Sequence, residues 1–438
     1  MKHRSITTTV LIIALGVSIP ATMHAQAKNL TLQEAIDLSL KNSKQLKANE
    51  AKILEAIAMV KEADERRLPE AGISGSYLFL PVRPNIDLKS GSGNGSMPTV
   101  NQAIYGTVNV AVPLYAAGKG KYGIESAKYL EQAVKLDADK DREMVILNTT
   151  NACINLYKGK TAITLVKENL AQSQQRVKDL TNLEKNGLLA RNDLLKAELQ
   201  TSNIELTLLD AESNYKLACV NMNLMIGWPE QTEIIPDRAG IALPASIKTL
   251  EEYENDALQK RKDVEALSFR KKAANTGIQI ARTDYYPSVA LTGGYIVADI
   301  PKFFSVTNAL NIGLGVKYNI ASLWKTKTKI QEAKIKVQQL AISEEMLSDN
   351  IRLQINQAYQ AYLVSEKKIQ VYEKAVVQAT ENYRITKNKY DNSLATVTEL
   401  LDADVALLQT NLSVTNAKAD SFLAYNKLLQ VAGLLNNQ

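Results

Sequence analysis

Two stretches of this chain contain no proline: Leu114 to Trp228 and Lys302 to Gln438. An interior proline costs a helix about 3 kcal/mol, so both stretches permit very long uninterrupted helices. The apolar residues in them keep a seven-residue period. Leu156, Ile163, Leu170 and Val177 are seven apart, and so are Tyr362, Ile369, Val376 and Tyr383, the same positions shifted by 206. That spacing is the seam of a coiled coil. A single helix from Ile124 to Lys185 extends roughly 90 Å at about 1.5 Å per residue. No compact globule holds such a rod, so the molecule is expected to be elongated.

The shift of 206 belongs to a tandem repeat, which dictates architecture more strongly than any local pattern. Leu32, Pro69 and Tyr77 recur as Leu250, Pro287 and Tyr295 at an offset of 218. Ala127, Lys128, Asn186, Leu188, Leu195, Ala197, Ala218 and Gly227 recur as Ala333, Lys334, Asn392, Leu394, Leu401, Ala403, Ala424 and Gly433 at 206. The first copy therefore carries an extra loop, PVRPNIDLKSGSGNGSMPTVNQ, whose Gly, Ser and Pro content fits a surface excursion. The expected division is a leader at 1–27, a first copy at 28–228, a linker at 229–245 and a second copy at 246–438.

Between the first helices of each copy and its rods lie segments with a period of two. Leu310, Ile312, Leu314, Val316 and Tyr318 alternate with Asn311, Gly313, Gly315, Lys317 and Asn319. Val108, Val110 and Val112 repeat the pattern, as do Val289, Leu291 and Tyr295. Strands are expected at about 71–81, 102–112, 288–298 and 309–319, each long enough to cross a bilayer when tilted. Tyr77, Tyr105, Tyr115, Tyr285, Tyr286 and Trp324 fall near strand ends or within strands, where membrane proteins carry aromatic girdles. The competing reading is a soluble β-hairpin packed on helices. Long helices are expected at about 120–186, 191–227, 322–392 and 397–433. Four strands cannot close a barrel, and lipid does not tolerate open edges. If the strands span a membrane, several chains must pool them.

The N-terminus has the layout of a secretory leader: Lys2 and Arg4, an apolar run from Val10 to Ile19, then Ala25 and Ala27, after either of which cleavage is expected. No Cys stands at that point to take a lipid anchor. The only histidines, His3 and His24, depart with the leader. The mature chain then lacks imidazole, which excludes Ser/His/Asp and Cys/His catalysis and His-based metal sites. Cys153 and Cys219 form neither a CxxC nor a zinc spacing and read as buried helix residues, with a disulfide open in an oxidising compartment. The chain is not expected to be an enzyme, and no cofactor or metal is called for. A net charge of +6, spread rather than clustered, gives no nucleic-acid footprint.

The rods end in related stretches, NGLLARNDLLKAEL and NSLATVTELLDADV. Gly187 suits the left-handed residue that ends a helix. Asn192 or Asp193 is expected to cap the returning helix. In the second copy Ser393 stands in place of Gly187, and Thr396 with Glu399 makes a capping-box pattern. The two stretches are thus the tips of two helical hairpins.

These tips, the PLYAAGK stretch at Pro113 and the doubled order of helix, two strands, long helix, tip and long helix resemble the TolC-like outer membrane efflux protein family over nearly the whole mature chain. The resemblance implies a mixed α+β membrane protein in which a homotrimer pools four strands per chain into a twelve-stranded barrel. A helical coiled-coil tunnel continues it into the periplasm of a Gram-negative bacterium. It implies an outer-membrane exit duct that works with a periplasmic adaptor and an inner-membrane pump, for efflux or type I secretion. By the same resemblance Glu399, Asp402 and Asp193 lie at the pore constriction, where a ring of carboxylates favours cations and raises proton affinity. Gly187, Leu188, Leu189, Ser393 and Leu394 are the expected adaptor contacts. Ala395 departs from the family, many of whose members carry a basic residue there that locks the closed tip; Arg191 or Lys389 is an alternative partner for Asp193. A plainer account is also open: Glu399 only completes its capping box, Asp402 is an early-turn acid, and the leucines pack back on the helix ends. The linker is expected to run outside the waist of the tunnel, and the loop around Lys89 to Pro98 to face the cell exterior. The alternative from another class is a soluble periplasmic coiled-coil scaffold without membrane strands.

Overall fold

A computed structural model describes residues 28–82, 100–237, 246–301 and 304–435. The leader, the loop around Lys89 to Pro98 and the later part of the linker lie outside the described residues. In chain order the elements are Lys28–Leu30 (β1), Leu32–Asn42 (α1), Lys44–Glu65 (α2), Glu70–Phe79 (β2), Gln102–Tyr115 (β3), Lys119–Lys185 (α3) and Arg191–Ile226 (α4). There follow Ile234–Pro236 (β4), Leu250–Lys260 (α5), Lys262–Thr283 (α6), Ser288–Ile300 (β5), Phe304–Lys317 (β6), Ser322–Asp391 (α7) and Val397–Val431 (α8). The protein is mostly helical with a small sheet. At 67 and 70 residues, α3 and α7 each run for roughly 100 Å.

The helices form a wall one layer thick. Toward the sheet the lateral order is α2, α3, α6, α7; toward the tips it is α4, α3, α8, α7. Such a wall has no thick core, so burial is confined to seams between neighbours. On α3, Leu156 and Ile163 of the heptad series are buried, but Leu170 and Val177 are only half-buried. The fully buried track passes instead through Val166, Asn169, Ser173 and Leu180. A straight helix drifts about 20° per heptad against a strict seven-residue repeat, so one face cannot keep the seam over so many turns. The narrow seams also admit polar residues. Thr149 and Thr150 satisfy their hydroxyls on the carbonyls of Val145 and Ile146, at 2.8 and 2.9 Å.

Two larger clusters thicken the wall near its middle. One gathers Leu30, Leu156, Tyr215, Met222, Ile226 and Ile234. The other gathers Tyr253, Ile351, Ile355, Leu428 and Val431. The first is closed by a parallel pairing of β1 with β4, which draws the start of the linker against the chain's first described residues. Periodicity did not signal these strands, because three residues are too few to show any. Cys153 and Cys219 are both free; Cys219 is buried, and burial pushes the Cys153 thiol up to about 12.

The sheet runs β2-β3-β5-β6, antiparallel throughout. Register places apolar residues in rows across all four strands. Ile73, Val108, Tyr295 and Leu310 make one row, and Val110, Gly293 and Ile312 continue the next. The opposite face is small and polar: Ser74 bonds Thr107 at 2.8 Å, and Thr292 donates to the Gly313 carbonyl at 3.2 Å. Among the described residues the extensive contacts of this sheet are all among its own strands, and no helix packs extensively on either face. The apolar face is open: Ile73 is 85 % exposed and Ile312 78 %. A hairpin packed on helices is therefore not what these segments form. Among the described residues no helix is long and apolar enough to cross a membrane.

On the polar face a row reads Gly72, Asn109, Gly294, Asn311. A Cβ on Gly294 would stand 3.0 Å from both the Val108 carbonyl oxygen and Asn311 Oδ1. Because the nearer obstacles include backbone, Gly294→Ala should destabilise the sheet by about 1–3 kcal/mol. Thermal melting of the purified protein checks this, and an unchanged midpoint would mean the strands can part without cost.

Candidate functional site at the hairpin tips

Both tips are built by the same local chemistry. After α3, Gly187 adopts φ +70°. Its N–H donates to the Glu184 carbonyl at 2.9 Å, and the Leu188 N–H donates to Leu183 at 2.8 Å. After α7, Ser393 adopts φ +61°, with Ser393 donating to Tyr390 at 2.9 Å and Leu394 to Lys389 at 2.7 Å. This is the Schellman arrangement, which satisfies the last carbonyls of a helix. A non-glycine residue in that region is strained by about 1 kcal/mol or more. Asn392 helps hold the turn by donating its side-chain amide to the Asn388 carbonyl at 2.7 Å, as Asn186 does to Asn182 at 2.7 Å.

The returning helices start differently. Thr396 caps α8, and Glu399 completes the box, accepting from the Thr396 N–H at 2.7 Å and from its hydroxyl at 3.1 Å. On α4 the cap position is Ala190, which offers no side-chain bond. The expected cap at Asn192 or Asp193 is therefore corrected. The turn geometry after Gly187 brings Ala190 into extended backbone, so the helix begins at Arg191 and Asp193 falls inside its first turn.

Asp193 pairs with Lys196 at 3.2 Å, not with Arg191 or Lys389. Lys196 also donates to Thr398 at 3.2 Å, on the other hairpin. A basic residue of α4 thus ties the two tips, while Ala395 contributes no such tie. Glu399 and Asp402 are exposed. The backbone N–H and hydroxyl of Thr396, aided by the field of Lys389, hold the Glu399 carboxyl below the usual carboxylate range. In the single chain the direction is thus opposite to that expected of a crowded ring. Since the folded value is depressed, this cap strengthens the fold above the ordinary carboxylate value and loses that contribution as pH falls through the folded one.

Leu188 and Leu394 project from the tips and are 75 % and 77 % exposed. Leu189 does not share that exposure. It packs with Val177 and Tyr390 against a buried cluster of Leu180, Leu194, Ala197, Val397 and Leu401, which joins the two hairpins.

Just behind this cluster is a polar centre that the sequence pattern did not single out. Asp404 is only 2 % exposed and accepts from Arg176 at 2.9 Å and from Asn169 at 3.2 Å. Arg176 also donates to the Tyr383 hydroxyl at 3.2 Å. Four residues from α3, α7 and α8 are thereby locked together. Burial opposes the charge on Arg176, but Asp404 and Tyr383 keep its pKa above the ordinary value. The signal was an Arg in mid-rod and a third acid after Glu399 and Asp402; only the pairing across 228 positions gives them meaning. Among the described residues no group of three or more His, Cys, Asp and Glu could hold a metal.

Comparison with known proteins agrees with this architecture. Residues 254–434 match the family described as Outer membrane efflux protein. The cation efflux system protein CusC of Escherichia coli O157:H7 is 22% identical over 390 residues, covering 86% of this chain and 80% of the relative. The outer membrane protein TolC of Vibrio cholerae is 20% identical over 368 residues, covering 81% and 83%. Among solved structures, VceC of Vibrio cholerae superposes with a TM-score of 0.73 at 19% identity, covering 92% of this chain and 96% of that one. A CusC structure gives 0.75 at 18% identity, covering 92% of each.

Removing the Asp404 carboxylate leaves a buried guanidinium unpaired. Asp404→Ala should cost about 3–5 kcal/mol, whereas pairing Arg176→Met with Asp404→Leu should restore most of it. Chemical denaturation of both variants checks the pair; equal losses would show that the centre works by packing and not by charge.

Proposed function

We propose that this chain, an outer-membrane protein of the outer membrane efflux protein family, is the exit duct of a tripartite efflux or type I secretion system. The observation that carries the reading is the match between the flanks of the sheet and those of the helical wall. The sheet order β2-β3-β5-β6 and the helix order α2-α3-α6-α7 run in the same sense. One flank is β2, α2 and α4 along the whole length; the other is β6 and α7. Among the described residues both are unpartnered. On α4, Leu199, Leu206, Leu209, Leu217 and Leu224 are exposed, and on α7 so are Ile335, Ile342, Met346, Leu353 and Val371. Unpaired strand edges and apolar helix stripes on the same two flanks call for further copies of the chain, joined side to side.

The number of copies is the one that the family resemblance implies, and a lumen is compatible with it. Two copies supply eight strands, and an eight-stranded barrel is filled by its own side chains. Three copies supply twelve strands and are the first closure that leaves a passage. The apolar face of the sheet then meets lipid, and the polar face, with its small residues, lines the water. We read the two similar series of elements as tandem copies of one unit, 28–228 and 246–438, on either side of the linker at 229–245. The leader at 1–27 directs export.

In such a trimer the tips converge at the periplasmic end. Glu399, Asp402 and Asp193 then ring the constriction, and the Lys196 bridge to Thr398 takes the place of the basic residue missing at Ala395. Gly187, Leu188, Leu189, Ser393 and Leu394 are the surface for a periplasmic adaptor, with exposed Leu188 and Leu394 as its anchors and Leu189 supporting them from the tip core. An inner-membrane pump supplies the cargo. The proteins this chain resembles are efflux channels, and its own role is passage and not chemistry.

The test is conductance in planar bilayers. The wild-type oligomer should form cation-preferring channels, and Glu399→Gln with Asp402→Asn should move the reversal potential in a salt gradient toward zero. Channels of unchanged selectivity would remove the carboxylates from the constriction. A purified protein that stays monomeric and soluble without detergent would instead favour the scaffold reading.

A further inference from the structure

At the end of the sheet nearest the helices, a cleft of about 410 Å³ opens between the start of α3, the end of α6 and the first turns of α7. Four lysines line it: Lys119, Lys317, Lys325 and Lys329. One carboxylate faces them. Asp284 binds Lys119 through Oδ1 at 3.0 Å and Lys329 through Oδ2 at 2.7 Å, so both its oxygens are engaged. Among the described residues no carboxylate lies within 4.0 Å of Lys317 or Lys325. The cleft thus carries three positive charges in excess of its single acid.

Two further observations point to an anion site. Ser322 and Thr326, one turn apart on α7, line the cleft at 6 % and 1 % exposure. Neither hydroxyl has a hydrogen-bond partner, which is costly for a buried donor. No side chain caps the start of α7, whose positive end lies among the same residues.

The level of the cleft identifies the anion. Ser288 begins β5 opposite Lys317, which ends β6, so the cleft lies at the rim of the sheet. Tyr115, Tyr286, Tyr318 and Trp324 are exposed at that same rim, where aromatic side chains meet the headgroup layer of a bilayer. We propose that this cleft binds the phosphate of an anionic phospholipid at the periplasmic rim of the outer membrane, with Lys317 and Lys325 contacting its oxygens and the Ser322 and Thr326 hydroxyls donating to them. This rests on the membrane reading of the sheet. A tetrahedral anion with several acceptors matches mobile ammonium groups and two short hydroxyls. Lys119 and Lys329 remain committed to Asp284 and set the position of the cleft walls.

The experiment compares the full-length wild type with the double variant Lys317→Gln/Lys325→Gln. Both are reconstituted in phosphatidylcholine vesicles containing a minority of phosphatidylglycerol, then re-extracted in mild detergent. Retained lipid is counted by native mass spectrometry, with and without added inorganic phosphate. The wild type should keep phosphatidylglycerol in preference to phosphatidylcholine. At roughly fivefold per lysine, the double variant should lose that retention by on the order of twentyfold, with its melting midpoint unchanged. Insertion with equal retention in both proteins overturns this inference alone. Inorganic phosphate bound by the wild type, with no lipid retained, overturns it in favour of a free anion. Failure of the wild type to enter vesicles overturns the membrane reading and this inference with it.

Discussion

Backbone hydrogen bonding at the two edges of a four-stranded sheet governs this structure. The outer edges of β2 and β6 present unpaired N–H and C=O groups, and in hydrocarbon no water can satisfy them. Among the described residues neither local packing nor the short helices cover those edges. In the proposed assembly the remedy lies outside the single chain. The helical wall repeats the sheet's lateral order, so in the proposed assembly the neighbour that completes the strands also covers the apolar stripes on α4 and α7. One mode of association therefore answers two unfavourable exposures.

The thinness of the wall explains its composition. A thick core would demand apolar residues on several faces of each helix. Here a long helix buries narrow seams and leaves the rest for water or for a neighbouring copy. That is why Asn169 and Ser173 can occupy seam positions on α3, with Ser173 sharing a 2.7 Å hydrogen bond with Thr201 on α4. It is also why charged pairs tie neighbouring helices, as Lys158 on α3 does with Asp420 on α8 and Arg176 with Asp404. The cost of burying the last pair is offset by its own contact and by two further polar partners, Asn169 and Tyr383.

Much of this was legible in the residues before any coordinates. Long helices show in the absence of proline and in Leu156 and Ile163, and the period of two in Leu310 to Val316 falls on a strand. The turn at Gly187 was legible because left-handed backbone favours glycine; Ser393 shows the same turn held by its bonding pattern when the preferred residue is missing. Other features were hidden for physical reasons. The α4 start depends on how the preceding turn aims the chain, so Asn192 and Asp193 at its first turn misled. The strands β1 and β4 are too short to carry a period. The Arg176–Asp404 centre joins positions far apart in sequence, and nothing local marks either residue as a partner. The lysine cleft likewise draws on α3, α6, β6 and α7.

Helix α3 is continuous from the rim of the sheet to the tip, whereas α2 and α6 flank only one half of it and α4 and α8 only the other. Helix α7 is equally unbroken on the free flank. Neither rod contains a proline at which to yield. Each rod therefore joins the rim of the sheet to its tip through one uninterrupted ladder of backbone hydrogen bonds, whereas the shorter helices divide the same span into two pieces.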